Sequence, residues 1–195
     1  MQYEKLLELE KKVKTRNPQA VMNYIRPSQK YLLISSDPSS ETDKSKGEDE
    51  AHSSFEERVI ALFFFGSDSK ESLAKFNDKS PKFRKRFFDN VYWTHYSKVY
   101  AKGNPNNSWS EFLKKEIELS EPELIIIFGN PAAMFLLGKG TLKDRVNRIL
   151  NWRGISVICC LHPSKDWNLK KRPDFQFDDT WKLIRSKIDF IHKRD

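Results

Sequence analysis

Four short apolar runs, each delivered into polar or glycine turn residues, constrain this chain more than any other feature. They are Tyr31 to Ile34 before Ser35-Ser36-Asp37-Pro38, Asn90 to Thr94 before His95, Pro122 to Phe128 before Gly129, and Ile155 to Leu161 before His162-Pro163-Ser164. Short apolar runs bounded by turn chemistry suit strands buried on both faces of a parallel sheet. Helical patterns separate them. In PELIIIFGNPAAMFLLG a strand, a glycine turn and a helix opened by Pro131 make half of a parallel α/β unit. The expected fold is α/β: a three-layer α/β/α domain over residues 1–195, with a parallel sheet of about four strands and right-handed crossovers.

The expected helices are Glu4–Lys14 and Pro18–Ile25, which pack on the core from residues 1–28, then Lys70–Asn77, Pro81–Phe88, a helix capped by Ser108 with Glu111, Leu142–Leu150 and Phe177–Ile191. Phe55 to Phe65 reads as a helix running into a strand-like stretch from Ile60. Residues 38–54 are polar and acidic with no aromatic residue, so a mobile loop is expected, either a flap over a site or a tolerated insertion.

Composition narrows the function classes. At 195 residues the chain can bury one sizeable core. No apolar run approaches the roughly 20 residues that span a bilayer, and the first residues mix acids and bases without a secretory apolar core. An intracellular location, in the cytoplasm or at the nucleus or nucleoid, is therefore expected. The formal charge of +8 favours a polyanionic partner, nucleic acid first and an acidic membrane second. Cys159 and Cys160 are adjacent in a strand and point to opposite faces, so they do not bridge each other. No His/Cys spacing suits zinc or an iron–sulfur cluster, so neither metal nor cofactor is expected. A nucleotide-processing enzyme is disfavoured by the absence of a Walker loop and of a GxGxxG.

Ligands of open α/β sheets bind beyond the carboxyl ends of the strands. That edge is expected to collect Asp37, Asn90 with Thr94 and His95, Gly129 with Asn130, and His162 to Ser164. Each candidate has a structural alternative. Asp37 fits a site carboxylate or the cap of the next element. His162 fits a donor to a ligand or a buried histidine bonded to a carbonyl. Asn90 fits a ligand contact or a turn with Asp89.

Taken in order, SSDPSS, NVYWTH, NPNNSWSEF, LIIIFGNPAAM and LHPS resemble the strand ends of the uracil-DNA glycosylase superfamily, over roughly Tyr31 to the end. The resemblance implies a DNA glycosylase of base excision repair, which removes uracil or another deaminated base after extruding it from the stack. It implies DNA as the partner; a monomer without cofactor or metal is expected. By carry-over Asp37 stabilises the cationic sugar and activates water, and His162 donates to the departing base. Asn90 reads the base edge with its amide, beside Pro38. Phe64, or else Phe55, supplies an aromatic face. Ser164 and the N–H groups at Asn130 hold phosphates, Lys165, Lys170 and Lys171 track the duplex, and Trp167 wedges into the gap. Ser35-Ser36 and Ser39 depart from the family pattern, which keeps open a second reading: the same fold, without chemistry, binding nucleic acid or a protein.

Overall fold

The computed structural model describes residues 1–22, 25–36, 38, 54–100, 107–163 and 167–189; the side chains of Ser54 and Trp167 are not among the described parts. The loop expected over 38–54 lies, apart from its two end residues, outside them.

The described elements run α1 (Tyr3–Arg16), β1 (Tyr31–Ser35), α2 (Ser54–Phe65), α3 (Lys70–Asp78), α4 (Ser80–Asn90), β2 (Val91–His95), α5 (Ser110–Ser120), β3 (Leu124–Phe128), α6 (Asn130–Leu137), β4 (Leu150–Trp152), β5 (Ile155–Cys160), α7 (Trp167–Lys170) and α8 (Phe177–Ser186). They form a five-stranded sheet in the order β2-β1-β3-β5-β4. The four strands expected from the apolar runs pair in parallel, and only β4 is antiparallel, against β5. β1 and β3 are buried at every residue, as two-face coverage requires.

Strand alternation sorts the core into two layers. On β2, Trp93 faces α2 and α4, its ring 5.4 Å from Phe55 and 6.2 Å from Phe87. Phe63 of α2 lies 5.3 Å from Trp181 of α8, which lies 6.0 Å from Phe128 of β3, so α2, α4 and α8 cover one face together. Tyr92 and Thr94 point the other way, to Glu116 of α5.

Several local expectations change. Phe55 to Phe65 is one continuous helix, because burial against α4 and α8 overrides the β propensity of its apolar end. Residues 142–149 make turns rather than a helix, and their chain feeds the β4–β5 hairpin through Arg153 and Gly154, both at positive φ. Pro18 and Gln19 form a turn, with Asn17 Oδ1 accepting from Gln19 N at 2.8 Å. Ser108 sits in a 3-10 turn ahead of α5, whose N-cap position is taken by Trp109, and Glu111 pairs with Lys114 at 2.7 Å. The helix expected over Phe177–Ile191 runs only from Phe177 to Ser186, with Trp181 and Ile184 buried; residues 187–189 are not helical, and Ile191 lies outside the described residues.

Candidate active site

The strand order fixes where a ligand crevice forms. From β1 the chain moves to β2 on one side, and the next strand, β3, pairs on the other side of β1. The reversal opens a crevice beyond the carboxyl ends of β1 and β3. Gly129 closes β3 at φ 85°, a conformation that L side chains rarely adopt. A Cβ there would stand 3.2 Å from Ser36 Oγ, so glycine lets the ends of β1 and β3 approach. The Gly129 amide donates to Cys160 O at 3.1 Å, drawing in the end of β5. Tyr96 N and Ser97 N donate to the carbonyls of Ser35 and Ser36 at 2.8 and 2.9 Å. Ser36 is thereby tied to β2, and Pro38 is buried. Asp37, between them in sequence, lies outside the described residues.

His95 ends β2, two residues beyond Trp93, and alternation places it on the face that Phe55 covers. Its Nδ1 is buried and has no hydrogen-bond partner. Burial, with the charge of Lys98 and proximity to His162, lowers its pKa to about 3, so the ring is neutral at physiological pH. A neutral imidazole offers one donor and one acceptor.

His162, just beyond β5, is half-buried. Its ring stacks on Phe55 with centroids 4.2 Å apart and planes within 10°, and Phe128 meets it edge-on at 6.0 Å. Phe55 opens α2, where the following residue, Glu56, forms a buried ion pair with Arg84 of α4. The helix start that carries the ring is therefore anchored. The described site thus holds two imidazoles and an aromatic ring around the crevice at the end of β1.

Other sequence candidates lie elsewhere. Asn90 ends α4 instead of starting the strand, and its Nδ2 donates to Arg86 O at 2.8 Å. It precedes β2, at the amino edge, roughly 16 Å of strand from His95. The carboxyl edge therefore does not collect it. Phe64 is nine residues beyond Phe55 along α2, roughly 13 Å at helical rise. Its ring packs 4.8 Å from Phe83 with Arg86 over its face, away from His162. Of the two aromatic candidates only Phe55 reaches the site.

Asn130 does stand at the edge, as the first residue of α6; its Nδ2 contacts Met134 Sδ at 3.1 Å, and its buried Oδ1 has no partner. With Tyr96, Lys114 and Phe135 it lines an open groove of about 650 Å³. Ser164 and Lys165 lie outside the described residues, and Trp167 opens α7. Lys170 does not face solvent: its ammonium pairs with Asp68 at 2.5 Å with side-chain exposures of 5% and 10%, and Phe177 lies beneath it. It fastens α7 to the turn before α3. Lys171 is exposed.

Sequence reasoning set His95 at the strand end without giving it a role. Reading NVYWTH as alternating faces would have paired it with Trp93. Among the described residues no group of three or more His, Cys, Asp or Glu could hold a metal, and no helix is long and apolar enough to cross a membrane. Burial pushes the Cys159 thiol up to about 12 and Cys160 higher still, so both are inert neutral thiols.

No curated protein matches this chain. A family model does, over residues 22–185, which takes in β1 to β5 and every described site residue above. The sheet order, the crevice at the end of β1 and this match agree: the chain belongs to the uracil DNA glycosylase superfamily.

Proposed function

We propose that this protein is a DNA glycosylase that hydrolyses the N-glycosidic bond of uracil or another deaminated base extruded from DNA. The observation that carries the reading is the His162–Phe55 stack at the strand-end crevice, with His95 on the same face and Asp37 next in sequence after Ser36.

The bond breaks with positive charge growing on the sugar and negative charge on the departing base. Asp37 stabilises the sugar cation and orients the attacking water. His162 donates a hydrogen bond to the departing base, and Phe55 holds that ring in its plane. His95 takes the base-contact role that the sequence assigned to Asn90. It stands on the strand-end face, and its neutral ring brings no charge to repel the sugar cation. Asn130, Ser164, Lys165 and Lys171 contact the DNA backbone, and Trp167 fills the gap left by the base. Lys170 is left out of this interface, because its charge is already neutralised by Asp68.

The test is incubation of the purified protein with duplexes carrying uracil, hypoxanthine or xanthine, followed by alkali. Strand scission that disappears in Asp37→Asn supports the reading. Salt-dependent binding with no scission on any substrate would instead make the chain a binding module of the same fold.

A further inference from the structure

Beneath the carboxyl end of β2 lies a charge pair that the proposed chemistry does not use. Lys98 and Glu116 are both fully buried, with ammonium and carboxylate in contact. Lys98 Nζ also donates to Thr94 Oγ1 at 2.5 Å and to the carbonyl of His95 at 2.8 Å. Glu116 accepts from Tyr92 Oη at 2.8 Å and from Thr94 Oγ1 at 3.1 Å. The three donors of the ammonium are thus all engaged, and the one backbone group among their acceptors belongs to His95.

A buried pair of this kind is a poor source of stability. Removing two charges from water costs several kcal/mol per ion, and apolar residues of similar volume often serve as well or better. Its placement offers a different account. The chain leaves β2 at His95, and Lys98, itself held by Glu116 of α5, donates to the His95 carbonyl and so links that backbone to α5. The described titratable groups facing His95 are Lys98, from the loop after β2, and His162, from the end of β5; Glu116 of α5 stands behind Lys98.

We propose that Lys98 and Glu116 are positioning residues for His95: the pair pins the backbone at the end of β2 and so fixes the imidazole against the base site. For its activity readout the proposal rests on the glycosylase reading; for its spectroscopic readout it does not. The pair has a second effect on the same ring. The Lys98 charge opposes protonation of His95 beyond what burial alone does, which keeps one nitrogen free to accept.

The test compares wild type with K98M/E116Q, which removes both charges and nearly keeps the shapes. The protein is labelled with ¹⁵N-histidine; it has 4 histidines, so the His95 signals are assigned by H95N. The double variant is expected to fold, to shift the His95 ring signals, to raise the His95 titration midpoint and to lower kcat about 10- to 100-fold with a smaller change in KM. If K98M/E116Q does not fold, E116D, which retracts the carboxylate by one methylene and keeps both charges, is expected to move the same signals in part. His95 signals and midpoint unchanged in the folded variant would overturn the proposal. If wild type excises no base, the glycosylase reading fails, and the histidine signals still decide whether the pair positions His95.

Discussion

Phe55 and His162 stack face to face, centroids 4.2 Å apart, although 107 positions separate them in the chain. The contact joins the start of α2 to the end of β5 across the carboxyl edge of the sheet. Phe55→Leu keeps an apolar side chain but loses the ring. It is expected to cost about 1 kcal/mol in urea denaturation, the usual worth of an aromatic pair beyond burial. Base excision should fall by about tenfold or more, since His162 loses the surface that sets its plane. Unchanged excision in the folded variant would show that the stack is only packing.

Asn90 and His95 make opposing predictions. Asn90→Ala loses one hydrogen bond, to Arg86 O, at the amino edge of the sheet. It should cost about 0.5–1.5 kcal/mol of stability and leave excision kinetics intact. His95→Ala should depress excision strongly and alter the ranking among uracil, hypoxanthine and xanthine substrates. The pair is read from single-turnover rates beside thermal melts. The reverse pattern would return the base contact to Asn90.

Lys170 and Lys171 are neighbours with different work. Lys170→Met leaves the Asp68 carboxylate unpaired in a nearly closed site and should destabilise the fold by about 3–5 kcal/mol. Lys171→Ala should barely change stability. In a salt titration of duplex affinity, it should lower the slope of log K against log salt by about one. An unaltered slope would remove Lys171 from the interface.

His95 also makes stability depend on pH in a defined direction. Its folded pKa of about 3 lies below the ordinary value of 6.5, so in acid the unfolded chain binds a proton that the folded chain refuses. The contribution of His95 is intact above 6.5, and stability falls as pH drops from 6.5 towards 3, by up to about 1.4 kcal/mol per pH unit. Urea midpoints of wild type and His95→Asn should diverge over that window and run parallel above it. Parallel curves throughout would show that the ring titrates normally.

Much of the architecture could be read from local chemistry. LIIIF, YLLIS and ISVICC are short, apolar on both faces and closed by turn residues, and these properties alone specify buried parallel strands and the edge where they end. His162 and Asn130 follow directly on strands, so their arrival at that edge needed only the strand direction. Residues decided by packing were not legible in this way. Whether Asn90 begins a strand or ends a helix differs by one residue in sequence, and either way it stands at the amino edge; the helix end turns its amide back to Arg86 O, and His95 is the residue of that segment that reaches the carboxyl edge. Phe64 and Phe55 look alike in an apolar helix, and the anchoring of α2 by Glu56 and Arg84 determines which one meets His162. The charges of Lys98 and Lys170 read as surface in a basic chain. Their acidic partners, Glu116 and Asp68, come from distant segments and take both inside. The sequence by itself determined the fold and the edge. Tertiary structure decided which side chains occupy that edge, because strand register, helix facing and buried charge pairing are properties of elements in contact and not of any one stretch.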